Sequence, residues 1–266
     1  GWVLQQRQDG GEGMRTKRGI HAPNNWGQRT DLDKLLALID TVGHCTMLDG
    51  EADLVPVLRQ HGVNGTLLVR MYWPRWSEWL PVAWAEHCAA EYTRDRGGWS
   101  LLSAGAHLTP ANEMNLEEEG GGSTEDWYRR INAWLVSWYD RFVQLVPGVS
   151  DRLHFPAFAY GHSDDDNTRG YCGMEICRPA ITLFGVLDVH PYWFEPNQVV
   201  DTYHGHRFVL SHNLFPTKPI FLSEAGNFDV TRAISPDEFE TWFNSLGAFP
   251  YITGATPFIF RDPTGA

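Results

Sequence analysis

The chain has 266 residues, 42% of them hydrophobic and 20% charged, the balance of a globular domain with a full core and not of a disordered chain. Its 21 basic against 33 acidic residues leave a formal charge of −12, which disfavours a nucleic-acid backbone or an anionic membrane surface as partner. No apolar run reaches the ~18 residues of a membrane span, and Cys45, Cys88, Cys172 and Cys177 lack the spacing of a zinc site.

Residues 1–16 are polar and glycine-rich (RQDGGEGM) and read as a leader or cap ahead of a single domain over 17–266. From there one theme repeats: a short β-favouring run, a polar loop, then a longer segment with helical spacing. The first four strand runs are KRGIHA (17–22), HCTMLD (44–49), TLLVRMYW (66–73) and LLSAGAHLTPA (101–111). LHFPAFAY (153–160), ITLFGVLDVHPYW (181–193), PIFLSEAG (219–226) and ITGATPFIF (252–260) complete a set of eight.

The segments between them carry helix grammar. DLDKLLALIDTV repeats apolar residues at Leu32, Leu35, Leu36 and Ile39, and EADLVPVLRQHG places Leu54, Val57 and Leu58 on one side before a glycine stop. STEDWYRRINAWLVSWYDRFVQLVPG starts with Ser123 or Thr124 as cap and has Glu125 and Asp126 in the first turn. Trp127, Ile131, Leu135 and Trp138 then recur on one face. SPDEFETWFNSLG repeats the pattern with Ser235, Pro236 and Gly247 as start and stop signals.

Eight strand–helix units predict parallel strands closed into a (β/α)₈ TIM barrel, an α/β fold that leaves no edge strand. An open doubly wound sheet is the alternative. The chain stops at Ala266, barely past the eighth strand. The barrel is therefore expected to lack its final helix, or to be truncated there, unless the N-terminal segment packs in its place.

Barrel active sites gather at the C-terminal ends of the strands. Asn112 and Glu113 end the fourth run in AHLTPANEMN, and Glu224 ends the seventh in PIFLSEAGNF. Runs four and seven lie three apart in a ring of eight, so their end loops face each other across the mouth. Two carboxylates so placed are what hydrolysis of a glycosidic bond requires. Arg70, His190 and Tyr192 fall at other strand ends, each also explicable as packing. Trp73, Trp76 and Trp79 crowd one loop, and Trp193 closes the sixth run; indole faces suit the apolar faces of sugars.

These elements resemble the large clan of (β/α)₈ retaining glycoside hydrolases, which carry catalytic glutamates after strands four and seven. ANEMN (111–115) is similar to its Asn-Glu signature, DVHPYW (188–193) to its His-x-Tyr element and LSEAG (222–226) to its nucleophile strand. The resemblance covers about residues 17–260. It implies Glu113 as general acid/base, Glu224 as nucleophile and Asn112 as the partner of the sugar 2-hydroxyl. It further implies that Tyr192 hydrogen-bonds Glu224 and that His190 lines the acid/base side. No cofactor or metal is implied.

Two positions depart from the clan pattern. Its strand-two arginine is represented by Arg70 on the third run, and Phe258 or Phe260 stands where an indole is expected on strand eight. A β-linked oligosaccharide or polysaccharide is the expected partner, and polymeric sugars favour a location outside the cell, where Cys172 and Cys177 of CGMEIC would be able to close a small loop. The rival readings are a non-catalytic sugar-binding barrel and a metal-assisted hydrolase. The latter would draw on His162, Asp164, Asp165 and Asp166 of HSDDD, which otherwise form an acidic solvated loop.

Overall fold

Eight short strands carry the architecture: β1 (Gly19–His21), β2 (His44–Leu48), β3 (Leu67–Arg70), β4 (His107–Thr109), β5 (His154–Phe155), β6 (Val186–Asp188), β7 (Ile220–Leu222) and β8 (Ile252–Ala255). They belong to a computed structural model that describes residues 17–22, 43–73, 75–159, 172–227 and 235–257. All pairings are parallel, in two four-stranded halves ordered β1-β2-β3-β4 and β5-β6-β7-β8. Parallel bridges between Leu108 and Leu153 and between Arg18 and Ala255 join the halves at both seams. At the second seam the Ala255 N–H donates to the Lys17 carbonyl at 2.9 Å. Strands therefore follow one another in chain order around a (β/α)₈ barrel.

Strand residues alternate between two environments, as a period of two requires. Cys45, Met47, Leu67, Val69, Leu108, Phe155, Leu187, Ile220 and Leu222 belong to the main core between strands and helices. Leu68, Val186 and Phe221 form a separate small cluster inside the barrel. His44 and His154 meet the Phe221 ring edge-on at 5.8 and 5.4 Å. A Cβ on Gly254 would lie 2.7 Å from that ring, so glycine is the residue that lets β8 close over it.

The interior is unusually polar, and its groups are paired. His154 Nδ1 meets Asp188 Oδ1 at 2.5 Å, and His107 Nδ1 meets His154 Nε2 at 2.9 Å. Thr46 and Thr256 hydroxyls lie 2.7 Å apart. Burial pushes His107 down to about 2, with His154 nearby acting in the same direction.

Helices cover the outside: α1 (Leu54–Gln60), α2 (Pro81–Thr93), α3 (Glu125–Leu145), α4 (Gly173–Ile176), α5 (Arg178–Leu183), α6 (Phe208–Leu214) and α7 (Pro236–Ser245). The longest, α3, is capped by Thr124, whose side chain accepts from the Trp127 N–H. It buries Tyr128, Ile131, Leu135, Trp138 and Phe142, while Trp127 stays at the edge of the core. Helix α7 begins with a full capping box, in which Ser235 and Glu238 satisfy each other's backbone N–H groups. None of the described helices is long and apolar enough to cross a membrane.

The structure corrects two expectations about elements. Ile181–Leu183 belongs to α5 and not to the sixth strand, which starts only at Val186. Pro179 opens that helix, and Gly185 lets the chain pass close to Ser150, where a Cβ would meet a carbonyl at 2.5 Å. The fourth strand is likewise confined to His107–Thr109, because Leu101–Gly105 is a turn. Cys177 is a buried free thiol whose Sγ donates to the Tyr128 carbonyl, so no disulfide closes the CGMEIC loop. The leader over 1–16, the helix over 31–42, the HSDDD loop, Phe258, Phe260 and the chain end all lie outside the described residues.

Candidate active site

Because every barrel strand is parallel, the loops after β3, β4, β6 and β7 emerge at one mouth. Glu224 follows β7 by two residues and Glu113 follows β4 by four. Carboxylate oxygens of the two lie within 4.8 Å of each other, with a His190 ring nitrogen inside the same limit of both. Each group thus comes from a different strand end, and the chain has folded three separate motifs into one cluster.

Glu224 is almost fully enclosed and fully engaged. Tyr192 donates to its Oε2 at 2.5 Å, and Arg70 donates from Nη1 to its Oε1. His21 Nε2 lies 3.7 Å from the same Oε1. Burial alone would raise the carboxyl, but neighbouring His190, the Arg70 guanidinium and the Tyr192 hydrogen bond outweigh it. They hold Glu224 well below the usual carboxylate range. Burial also pushes His21 down to about 4, so it is neutral near pH 7 and Arg70 is the permanent charge against Glu224. Burial, then the negative charge of Glu224, drives Tyr192 well above its ordinary value and keeps its proton available to donate.

Glu113 is set differently. Its Oε1 meets His190 Nδ1 at 2.9 Å, and its side chain is more open to solvent than that of Glu224. His190 Nε2 faces Arg70 Nη2 at 3.4 Å and Ser223 Oγ at 3.1 Å. Arginine can only donate, so Nε2 accepts and the proton that fixes the ring sits on Nδ1, toward Glu113. Glu113, His190 and Glu224 also have the spacing of three metal ligands. The guanidinium pressed against Glu224 would repel a cation there.

Among the residues expected from the sequence, Arg70, Asn112, Glu113, His190, Tyr192 and Glu224 all come to the mouth. Arg70 does stand on the third strand, and it reaches Glu224 from straight across the ring. Trp193 does not belong with them. It is completely buried, pairs along the backbone with Asn227, and donates its indole N–H to Glu238 Oε2 at 3.0 Å. It leaves no ring face for a ligand. Trp76 is also buried, bonded to the Met114 carbonyl and packed edge-on against Trp127 and Trp134. Trp73 is 43% exposed, with Trp79 and Trp84 against its edge, and Tyr72 beside it is exposed as well.

Three contributors were not singled out in the sequence: His21, Ser223 and Glu119. His21 and Ser223 sit at or just past the C-terminal end of an apolar strand run, as Arg70 does, so the same positional signal marks them. Glu119 has no comparable signal, since it closes an acidic run.

No protein-family model matches the chain, and no curated protein matches its sequence. Its fold is similar to that of several solved glycoside hydrolases. An endo-1,4-β-D-mannanase from Thermotoga petrophila superposes with a TM-score of 0.68 at 12% identity, covering 94% of this chain and 92% of that one. A GH128 endo-β-1,3-glucanase from Amycolatopsis mediterranei, solved with laminaripentaose, gives 0.56 at 15% identity over 91% and 88%. A trimodular GH5_4-subfamily endoglucanase gives 0.61 at 12% identity over 93% of this chain, which spans 56% of that protein's length. The barrel expected from the sequence is thus the barrel that these enzymes share.

Proposed function

We propose that this chain is a retaining glycoside hydrolase acting on β-linked oligo- or polysaccharides by double displacement. The observation that carries the reading is the pair Glu113 and Glu224, whose oxygens approach within 4.8 Å at the barrel mouth. A retaining enzyme needs its carboxyl groups about 5–5.5 Å apart, and an inverting one about 6.5–9.5 Å to admit a water between them. The environments of the two also divide the labour. Glu224, held ionised by Arg70 and Tyr192, is the nucleophile that attacks the anomeric carbon as Glu113 protonates the departing oxygen. Glu113 then takes a proton from water, the water oxygen bonds to the anomeric carbon, and the bond to Glu224 breaks.

Similarity in fold to a mannanase and to β-1,3- and other glucanases supports β-linked substrates. A net charge of −12 is compatible with a neutral sugar. Incubation with a panel of activated aryl 2-deoxy-2-fluoroglycosides, read by intact mass and peptide mapping, tests the reading. The expected result is a single glycosyl adduct on Glu224. Turnover of the parent glycosides with an adduct elsewhere, or with none, would sink the double-displacement assignment.

Trp73 is the candidate platform for a sugar beyond the reacting one. Replacing it by Ala is expected to weaken binding by about 1–3 kcal/mol, seen as a raised KM with kcat changed far less. An unchanged KM on an oligosaccharide substrate would remove Trp73 from the site.

A further inference from the structure

Glu117, Glu118 and Glu119 precede three glycines and read as one solvated acidic run. The structure splits them. Glu117 and Glu118 are exposed, whereas Glu119 is half-buried and accepts from Asn112 Nδ2 at 3.1 Å. The loop that returns Glu119 to the mouth is tightly built. The Gly121 N–H donates to the Leu116 carbonyl at 2.9 Å, and the Glu119 carbonyl accepts from the Trp76 N–H at 3.1 Å. A Cβ on Gly121 would fall 1.7 Å from the Met114 carbonyl oxygen, and Gly120 holds φ at 84°. Only glycine permits either.

Asn112 is the immediate neighbour of Glu113, and its Oδ1 is buried with no hydrogen-bond partner among the described residues. One amide hydrogen is therefore committed to Glu119 and the oxygen is shut away from solvent, which leaves the second amide hydrogen for something else. A carboxylate accepts and never donates when ionised, so it forces Nδ2 toward itself and fixes which way the amide faces. Without it, a half-turn about the side chain would exchange donor and acceptor.

We propose that Glu119 is a positioning residue that locks the Asn112 amide so that its remaining N–H meets the substrate hydroxyl next to the reacting carbon. The inference rests on the glycoside hydrolase reading above. Hydrogen bonds to that hydroxyl strengthen in the transition state, so misorienting Asn112 lowers kcat more than it raises KM.

The test uses an aryl glycoside that the wild type cleaves, its 2-deoxy analogue, and the variants Glu119→Ala, Glu119→Gln, Asn112→Ala and Glu119→Ala/Asn112→Ala. Glu119→Ala is expected to lower kcat about ten- to hundredfold on the parent glycoside and less than about threefold on the 2-deoxy analogue. Glu119→Gln should recover only part of that loss, since a Gln amide accepts from Asn112 in one orientation and donates to it in the other. The double variant should be no worse than Asn112→Ala, because both changes remove one unit. Equal losses on the two substrates, or losses that add in the double variant, would overturn the proposal and leave the glycosidase reading standing. If the wild type turns over no glycoside, that reading falls and takes this one with it.

Discussion

Replacing Glu224 by Ala is expected to lower kcat about 10⁴-fold or more, some 5 kcal/mol of transition-state stabilisation, on every glycoside the wild type cleaves. No carboxylate then remains to attack the anomeric carbon, so no covalent intermediate forms. Glu113→Ala should behave differently. Dinitrophenyl glycosides, whose leaving group needs no proton, should still glycosylate Glu224, after which deglycosylation stalls for want of a general base. An adduct should accumulate, and azide, a nucleophile that needs no base, should restore turnover and give a β-configured product from a β-glycoside. Azide rescue measured side by side decides the roles. Identical behaviour of the two variants would show that the assignment does not hold.

Arg70→Met should be nearly as damaging, for an electrostatic reason. The guanidinium is buried against Glu224, and removing one partner of a buried ion pair leaves the other uncompensated, at a cost of about 3–5 kcal/mol in stability. The pH dependence follows from the direction of the Glu224 shift. Its native pKa lies below its unfolded value of about 4.3, so the stability it contributes is present above that value and is lost as pH falls through the native pKa. Without Arg70 the native pKa rises, and the acidic limb of kcat/KM, which reports ionisation of the nucleophile, moves to higher pH. Denaturant melts and a pH–rate profile check both halves of the expectation. An acidic limb that stays in place would mean that Tyr192 and the histidines suffice to keep Glu224 ionised. Arg70→Lys, which keeps the charge but not the planar fork, should fall between.

The strands were legible in the sequence because most of their residues are buried, so each writes itself as a short β-favouring run between polar loops, with the chemistry at its C-terminal end. That is why Glu113, Glu224 and Arg70 were found together. The same signal failed at Ile181–Leu183, since a short apolar run does not tell a buried helix from a buried strand. Trp193 was misjudged because its partner, Glu238, lies 45 residues away on α7. Nothing local distinguishes an indole that stacks on a sugar from one that seals a helix against the barrel. Glu119 was invisible for a related reason. Its neighbours in the chain are solvated, and only the fold-back through Gly120 and Gly121 brings it to Asn112.

The ring of strands has two seams, and the working groups are divided between the pieces they separate. The β1–β4 half supplies Glu113, the proposed acid/base, with Asn112, Arg70 and His21; the β5–β8 half supplies Glu224, the proposed nucleophile, with Tyr192, His190 and Ser223. Each half keeps one carboxylate and a group that contacts the other half's: Arg70 bonds Glu224, and His190 meets Glu113. Registry across the Leu108–Leu153 and Arg18–Ala255 seams is therefore what sets the gap between the Glu113 and Glu224 carboxylates.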